Sequence, residues 1–184
     1  MKYQPHLEFS AQAVSFRALQ CLYTRIAERE ANQYDYVPIV VFAAFSIEAY
    51  INSIGSRNIV FWDQIERLPW KKKVEILHAN AGATPNWGRA PLQFATQVFS
   101  VRDRLAHGKS ETIDGPFCDT PGDANTILMV QCLKPDWLDV LDKDWIMKSN
   151  ERACELLRYL GNLYGLTEDD FTHHSQGHIS NHES

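Results

Sequence analysis

The segment VRDRLAHGK, residues 101–109, brings together the side chains with the clearest capacity for chemistry. Arg102 offers a guanidinium that can brace a developing anion through forked hydrogen bonds. His107, five positions later, can take or give a proton near neutral pH. Asp103 lies four residues before His107 on the same helical face, where a carboxylate favours the imidazolium form. The end of a helix favours that form as well. The set therefore suits phosphate binding or acid catalysis at least as well as base catalysis. On an ideal helix Arg102 and His107 stand about 140° apart in projection. They meet at one phosphate only if the last turn unwinds, the arginine reaches over, or a partner chain shapes the site. Otherwise Arg102 is structural and His107 caps the helix.

A second charged residue occupies a similar setting. Phe94, Val98, Val101 and Leu105 form an apolar strip, widened by Ala95, Phe99 and Ala106, and Arg102 falls within that arc. Val40, Ala44, Ile47 and Ile51 form another, with Val41 and Phe45 beside it, and Glu48 falls within theirs. An unpaired buried charge is very costly, so the simplest expectation is that Glu48 and Arg102 face each other across two packed helices. If that pair is buried, Glu48→Ala costs ~3–5 kcal/mol. A structural ion pair without catalytic duty is the competing reading.

The elements that must position these residues are helical. Polar residues Arg17, Gln20, Thr24 and Glu28 recur at helical spacing, and the pattern predicts a helix from about Ser10 to Asn32. A second helix is expected from about Tyr36 to Ser56, apolar almost all round, with Pro38 in its first turn. A third spans Trp62 to Asn80, kinked or divided at Pro69. After the loop AGATPNWGRAP, a fourth starts near Pro91 and ends at Gly108, a natural C-terminal cap. Residues 109–125 read as loop, TILMVQCL as a strand in a short hairpin near 111–133, and a last helix covers Asp144 to Tyr164. These elements predict an all-α, up-and-down bundle of four to five helices over residues 1–166, followed by a polar, disordered tail over 167–184.

The bulk properties agree with one globular domain. The chain has 184 residues, 45% hydrophobic and 22% charged, enough to bury roughly 70% of its unfolded surface in one core. The four cysteines form no CxxC pair, which points to a reducing cytoplasm rather than a zinc knuckle. The start MKYQPHLEFS does not read as a signal peptide. The apolar run Val37 to Ile51 is short for a bilayer and contains Glu48, so no membrane association is expected. A net charge of −5 argues against nonspecific coating of nucleic acid but leaves room for a local basic site.

The spacing Arg102-Asp103-x-x-x-His107, within FSVRDRLAHGKS late on a helix, resembles the Arg-polar-x-x-x-His signature of HEPN domains. AAFSIEAYIN is similar to the apolar, acid-containing second helix of several HEPN groups. The resemblance covers roughly Ser10 to Lys109 and leaves 110–133 unexplained. It implies a helical bundle that usually dimerises and, in many members, a metal-independent endoribonuclease of toxin–antitoxin or abortive-infection systems. It would make Arg102 and His107 the catalytic pair and Asp103 the residue orienting them, with Glu48 as a supporting acid. Arg104 and Lys109 become candidate RNA contacts. No cofactor or metal is implied, and the expected partners are an RNA substrate, a second copy, and a cognate antitoxin or regulatory protein. The rival expectations are a noncatalytic module that binds nucleotide, RNA or protein in the same cleft, and an interaction protein whose motif only builds the dimer.

Two weaker signals point elsewhere. HHSQGH near the C-terminus has no pattern to fix its histidines as metal ligands. Trp70 with Lys71, Lys72 and Lys73 can contact RNA by stacking and charge, though a solvated helix start beside a packed tryptophan is the commoner arrangement.

Overall fold

A computed structural model describes residues 2–130, 133–173 and 175–182. In chain order the elements are strand β1 (Lys2–Phe9), helices α1 (Ala11–Ala27), α2 (Gln33–Asn58), α3 (Trp62–Ile65), α4 (Trp70–Asn80), α5 (Ala90–His107) and α6 (Pro121–Val130). A 3-10 turn (Asp136–Val140), α7 (Lys143–Asn162), α8 (Asp169–Thr172) and strand β2 (Ser175–His182) complete it. The described residues are mostly helical, with one small antiparallel sheet.

Helix α2 is the axis of the bundle and packs against α1, α4, α5 and α7. Its start is fixed by a capping box, in which Asn32 Oδ1 accepts from the Tyr34 backbone and Asp35 accepts from the Asn32 backbone. That box begins the helix at Gln33, three residues before the expected Tyr36. Pro38 consequently lies in the second turn, inside the helix. At 26 residues α2 is long and apolar enough to cross a bilayer by length and composition alone, more than the run Val37 to Ile51 suggests. Half of its most apolar window is buried inside the bundle, including Val40, Ala43, Ala44, Ile47, Ile51 and Ile54. Near its end Gly55 allows close packing, because a Cβ there would lie 2.2 Å from the Trp62 indole.

Pro69 does divide the third helical stretch, with α3 before it and α4 after it. Helix α5 runs nearly as its punctuation predicts. Pro91 sits in the first turn, and Gly108 closes the last one at φ 54°, donating its N–H to the Arg104 carbonyl. Helix α7 is capped by Asp142, whose side chain accepts from the Asp144 and Trp145 backbones. Across the core, the Tyr23 hydroxyl and Ser149 Oγ lie 2.6 Å apart, tying α1 to α7.

Two regions differ from expectation. The segment 121–130 is helix α6 rather than part of a hairpin, while residues 131–132 of the expected strand lie outside the described residues. The physical reason is a helix start at Thr120: its Oγ1 accepts from the Asp123 N–H and donates to the Asp123 carboxylate, with Pro121 as the first helical residue. The segment after 167, expected as a disordered tail, carries α8 and β2. Phe171 supplies the apolar anchor, buried against Phe16 and Tyr50. Strand β2 then pairs antiparallel with β1, from Phe9↔Ser175 to Lys2↔His182.

Candidate functional site

Helices α2, α4 and α5 converge on a cluster of charges beside the core. Arg102 Nη2 lies 3.5 Å from Glu48 Oε2, so the two residues do face each other across packed helices. Neither is deeply buried: the side chains are 29% and 34% exposed. Both sit at the edge of their apolar arcs, where Phe45 is also exposed. The guanidinium rests over the Phe99 ring at 5.1 Å, and Phe99 is stacked on Trp70 at 4.4 Å. Arg102 Nη1 also lies 3.4 Å from Asp103 Oδ1. Its Nε is buried and has no hydrogen-bond partner among the described residues.

The deeply buried charge at this site is Lys73, 1% exposed. Its ammonium donates to Glu48 Oε1 at 3.1 Å and to Asn52 Oδ1 at 3.0 Å. Glu48 thus holds one cation on each carboxylate oxygen. The sequence pattern offers Lys73 only within a lysine run that reads as an RNA contact or a solvated helix start, and does not single out Asn52, although a signal for Lys73 was present. Trp70, Lys73, Val74 and Leu77 follow the three- and four-residue spacing of an apolar face, and all four are buried. Lys73 is therefore a charge inside an apolar arc, the same criterion that singled out Arg102 and Glu48. The solvated helix start is made by Lys71 and Lys72, which are exposed, while Trp70 packs inside.

His107 belongs to a second arrangement. It is exposed at the last position of α5 and lines a cleft of about 360 Å³ with Ser100, Asp103, Arg104, Lys109 and Glu111. Among the described residues it has no hydrogen-bond partner. The cleft mixes signs. Arg104 donates to Glu111 Oε1 at 2.8 Å, which partly neutralises it, while Lys109 and His107 stand exposed nearby. Arg104 and His107 in the last helical turn also complement the helix dipole.

The structure thus brings the predicted residues together as two sets. Glu48 joins Arg102, whereas Arg104, His107 and Lys109 share the cleft. Asp103 belongs to both, touching Arg102 and lining the cleft. Arg102 does not line the cleft that His107 lines, in keeping with their wide separation around α5. Chemically, one set presents a guanidinium whose terminal nitrogens meet acids at 3.4 and 3.5 Å, and the other an exposed imidazole in a cleft with a lysine. Among the described residues no three His, Cys, Asp or Glu side chains gather as a metal site would require. Compared with protein-family models, with curated proteins and with solved structures, the chain matches none of them.

Proposed function

We propose that this chain is a metal-independent endoribonuclease of the HEPN type, acting on single-stranded RNA in the cytoplasm as a toxin or defence protein. The observation that carries the reading is the exposed His107, without a hydrogen-bond partner among the described residues, in a cleft with Lys109 and five residues beyond Arg102, whose terminal nitrogens meet acids only at 3.4 and 3.5 Å. In the proposed reaction an RNA 2′-oxygen attacks the adjacent phosphorus as its proton is taken up. The bond from phosphorus to the 5′-oxygen breaks, that oxygen gains a proton, and a 2′,3′-cyclic phosphate remains. His107 moves the proton and Arg102 steadies the phosphorane. Arg104 and Lys109 contact the flanking phosphates.

Because Arg102 and His107 lie in different sets within one chain, the proposal includes a homodimer that joins the two at one cleft. A cognate antitoxin or regulatory protein would then control access. The three described cysteines, Cys21, Cys118 and Cys154, are unpaired thiols, which fits a reducing compartment. A second reading, a noncatalytic HEPN module that binds nucleotide, RNA or a protein in this cleft, is favoured by the contacts already holding Arg102 to Glu48 and Asp103.

Cleavage of a labelled single-stranded RNA in excess EDTA, by wild type and His107→Ala side by side, separates the two. The nuclease reading expects cleavage by wild type alone, with cyclic phosphate ends. A folded, dimeric wild type that leaves several RNAs intact, yet binds them, supports the noncatalytic module instead.

A further inference from the structure

Packing alone does not ask for a charge at Lys73. Its position on α4 lies in the core stripe between Trp70 and Leu77, and an unbranched apolar side chain would fill it without a charge to desolvate. The ammonium is nevertheless kept, and both of its acceptors sit on α2, one helical turn apart. The consequence for Glu48 is specific. One oxygen is committed to Lys73 at 3.1 Å, so the other meets Arg102 by a single contact of 3.5 Å. Carboxylate and guanidinium otherwise prefer two parallel short hydrogen bonds. From the other side, the Phe99 ring supports Arg102 and is itself stacked on Trp70, one turn before Lys73. Helix α4 therefore acts on Arg102 twice, through a carboxylate and through an aromatic stack.

We propose that Lys73 is a positioning residue for Arg102: by claiming one oxygen of Glu48, it keeps the guanidinium loosely held and open to a phosphate of bound RNA. The inference rests on the ribonuclease reading for the identity of the ligand, but the relay itself is a property of the three side chains. Without the ammonium, Glu48 turns both oxygens to Arg102 and competes with the phosphate. Asp103, 3.4 Å from the other terminal nitrogen, adds to that competition but has no link to Lys73 among the described residues.

The test is a double-mutant cycle of Lys73→Met and Glu48→Gln. It is read as affinity for a 2′-deoxy oligonucleotide, which lacks the attacking hydroxyl, and in parallel as cleavage of the matching RNA. Lys73→Met is expected to weaken oligonucleotide binding about tenfold, the size of one charge-assisted hydrogen bond. Glu48→Gln is expected to tighten binding, and Lys73→Met should then have no further effect, because the residue through which it acts no longer competes. Equal weakening in both backgrounds, or no weakening in either, overturns the relay. Should Lys73→Met lose its fold, Lys73→Gln takes its place in the same cycle.

The two readouts keep the claims apart. A coupled cycle in binding with no cleavage by wild type sustains the relay and sinks the nuclease. Cleavage with an additive cycle does the reverse. Absence of both binding and cleavage overturns both.

Discussion

Two acids, one in α2 and one in α8, are held very differently. Asp170, in α8, receives both terminal nitrogens of Arg57 at 2.6 and 2.8 Å, a short fork with both oxygens used. Glu48, in α2, is divided between Lys73 at 3.1 Å and Arg102 at 3.5 Å, and the buried Nε of Arg102 has no partner among the described residues. The first arrangement is complete and fastens the C-terminal segment to α2. The second is looser, each terminal nitrogen of Arg102 meeting one acid at 3.5 or 3.4 Å, on the same helix whose last turn carries His107. A short fork fixes both partners, whereas long single contacts hold a guanidinium less firmly.

The largest effect expected from this contrast concerns catalysis. Arg102→Ala should lower RNA cleavage by about a hundredfold to a thousandfold, the cost of removing one donor aimed at transition-state charge. Its melting temperature should barely change, because the side chain is partly exposed and its pair with Glu48 is long. A large loss of stability with a proportionate loss of cleavage would erase the distinction between the two acids.

Next in size is Glu48→Ala. Its cost does not come from a buried Glu48–Arg102 pair, because the deeply buried charge is Lys73. Removing Glu48 leaves that ammonium with the neutral Asn52 oxygen alone, so a loss of about 3 kcal/mol is expected by denaturant titration. If Lys73→Met is combined with it, most of that loss should vanish, since no buried charge then remains.

The smallest effect belongs to the closed pair. Arg57→Ala should cost about 1 kcal/mol at neutral pH, modest because Arg57 is exposed. The Arg57 guanidinium holds the Asp170 carboxyl below its ordinary value of 3.8. A folded-state pKa below the unfolded one means the contribution is fully present above the unfolded value and is lost as pH falls through the folded value. The stability gap between Arg57→Ala and wild type should therefore be flat near neutrality and close below pH 3.8, followed by urea titrations at stepped pH. A gap that persists undiminished in acid would show that Arg57 acts through packing rather than charge.

The bundle was legible wherever local signals agreed. Helix α5 has a proline at its start, a glycine at its end and an apolar strip between them, and its bounds follow almost residue by residue. Pro69 likewise marked the division between α3 and α4. The TILMV run misled because its β-branched residues suggest strand, whereas the Thr120 cap and Pro121 just ahead of it start a helix. The β1–β2 pairing joins segments at opposite ends of the chain, and no local pattern encodes such a partner. At the site, the facing of Glu48 and Arg102 followed from two charges in apolar arcs. Lys73 obeyed the same rule but was hidden in a run of three lysines, which reads as a solvated surface.

The pairing of Lys2 with His182 has a consequence for the order of events during folding. Closing so long a stretch of chain from the unfolded state is entropically expensive, though the cost grows only slowly with length. Two short strands alone do not repay it. The pairing can therefore form only after α1 and α8 have docked and carried both ends to one place. The ribbon becomes the last structure to assemble and the first to open, a clasp whose amide exchange reports on the bundle behind it.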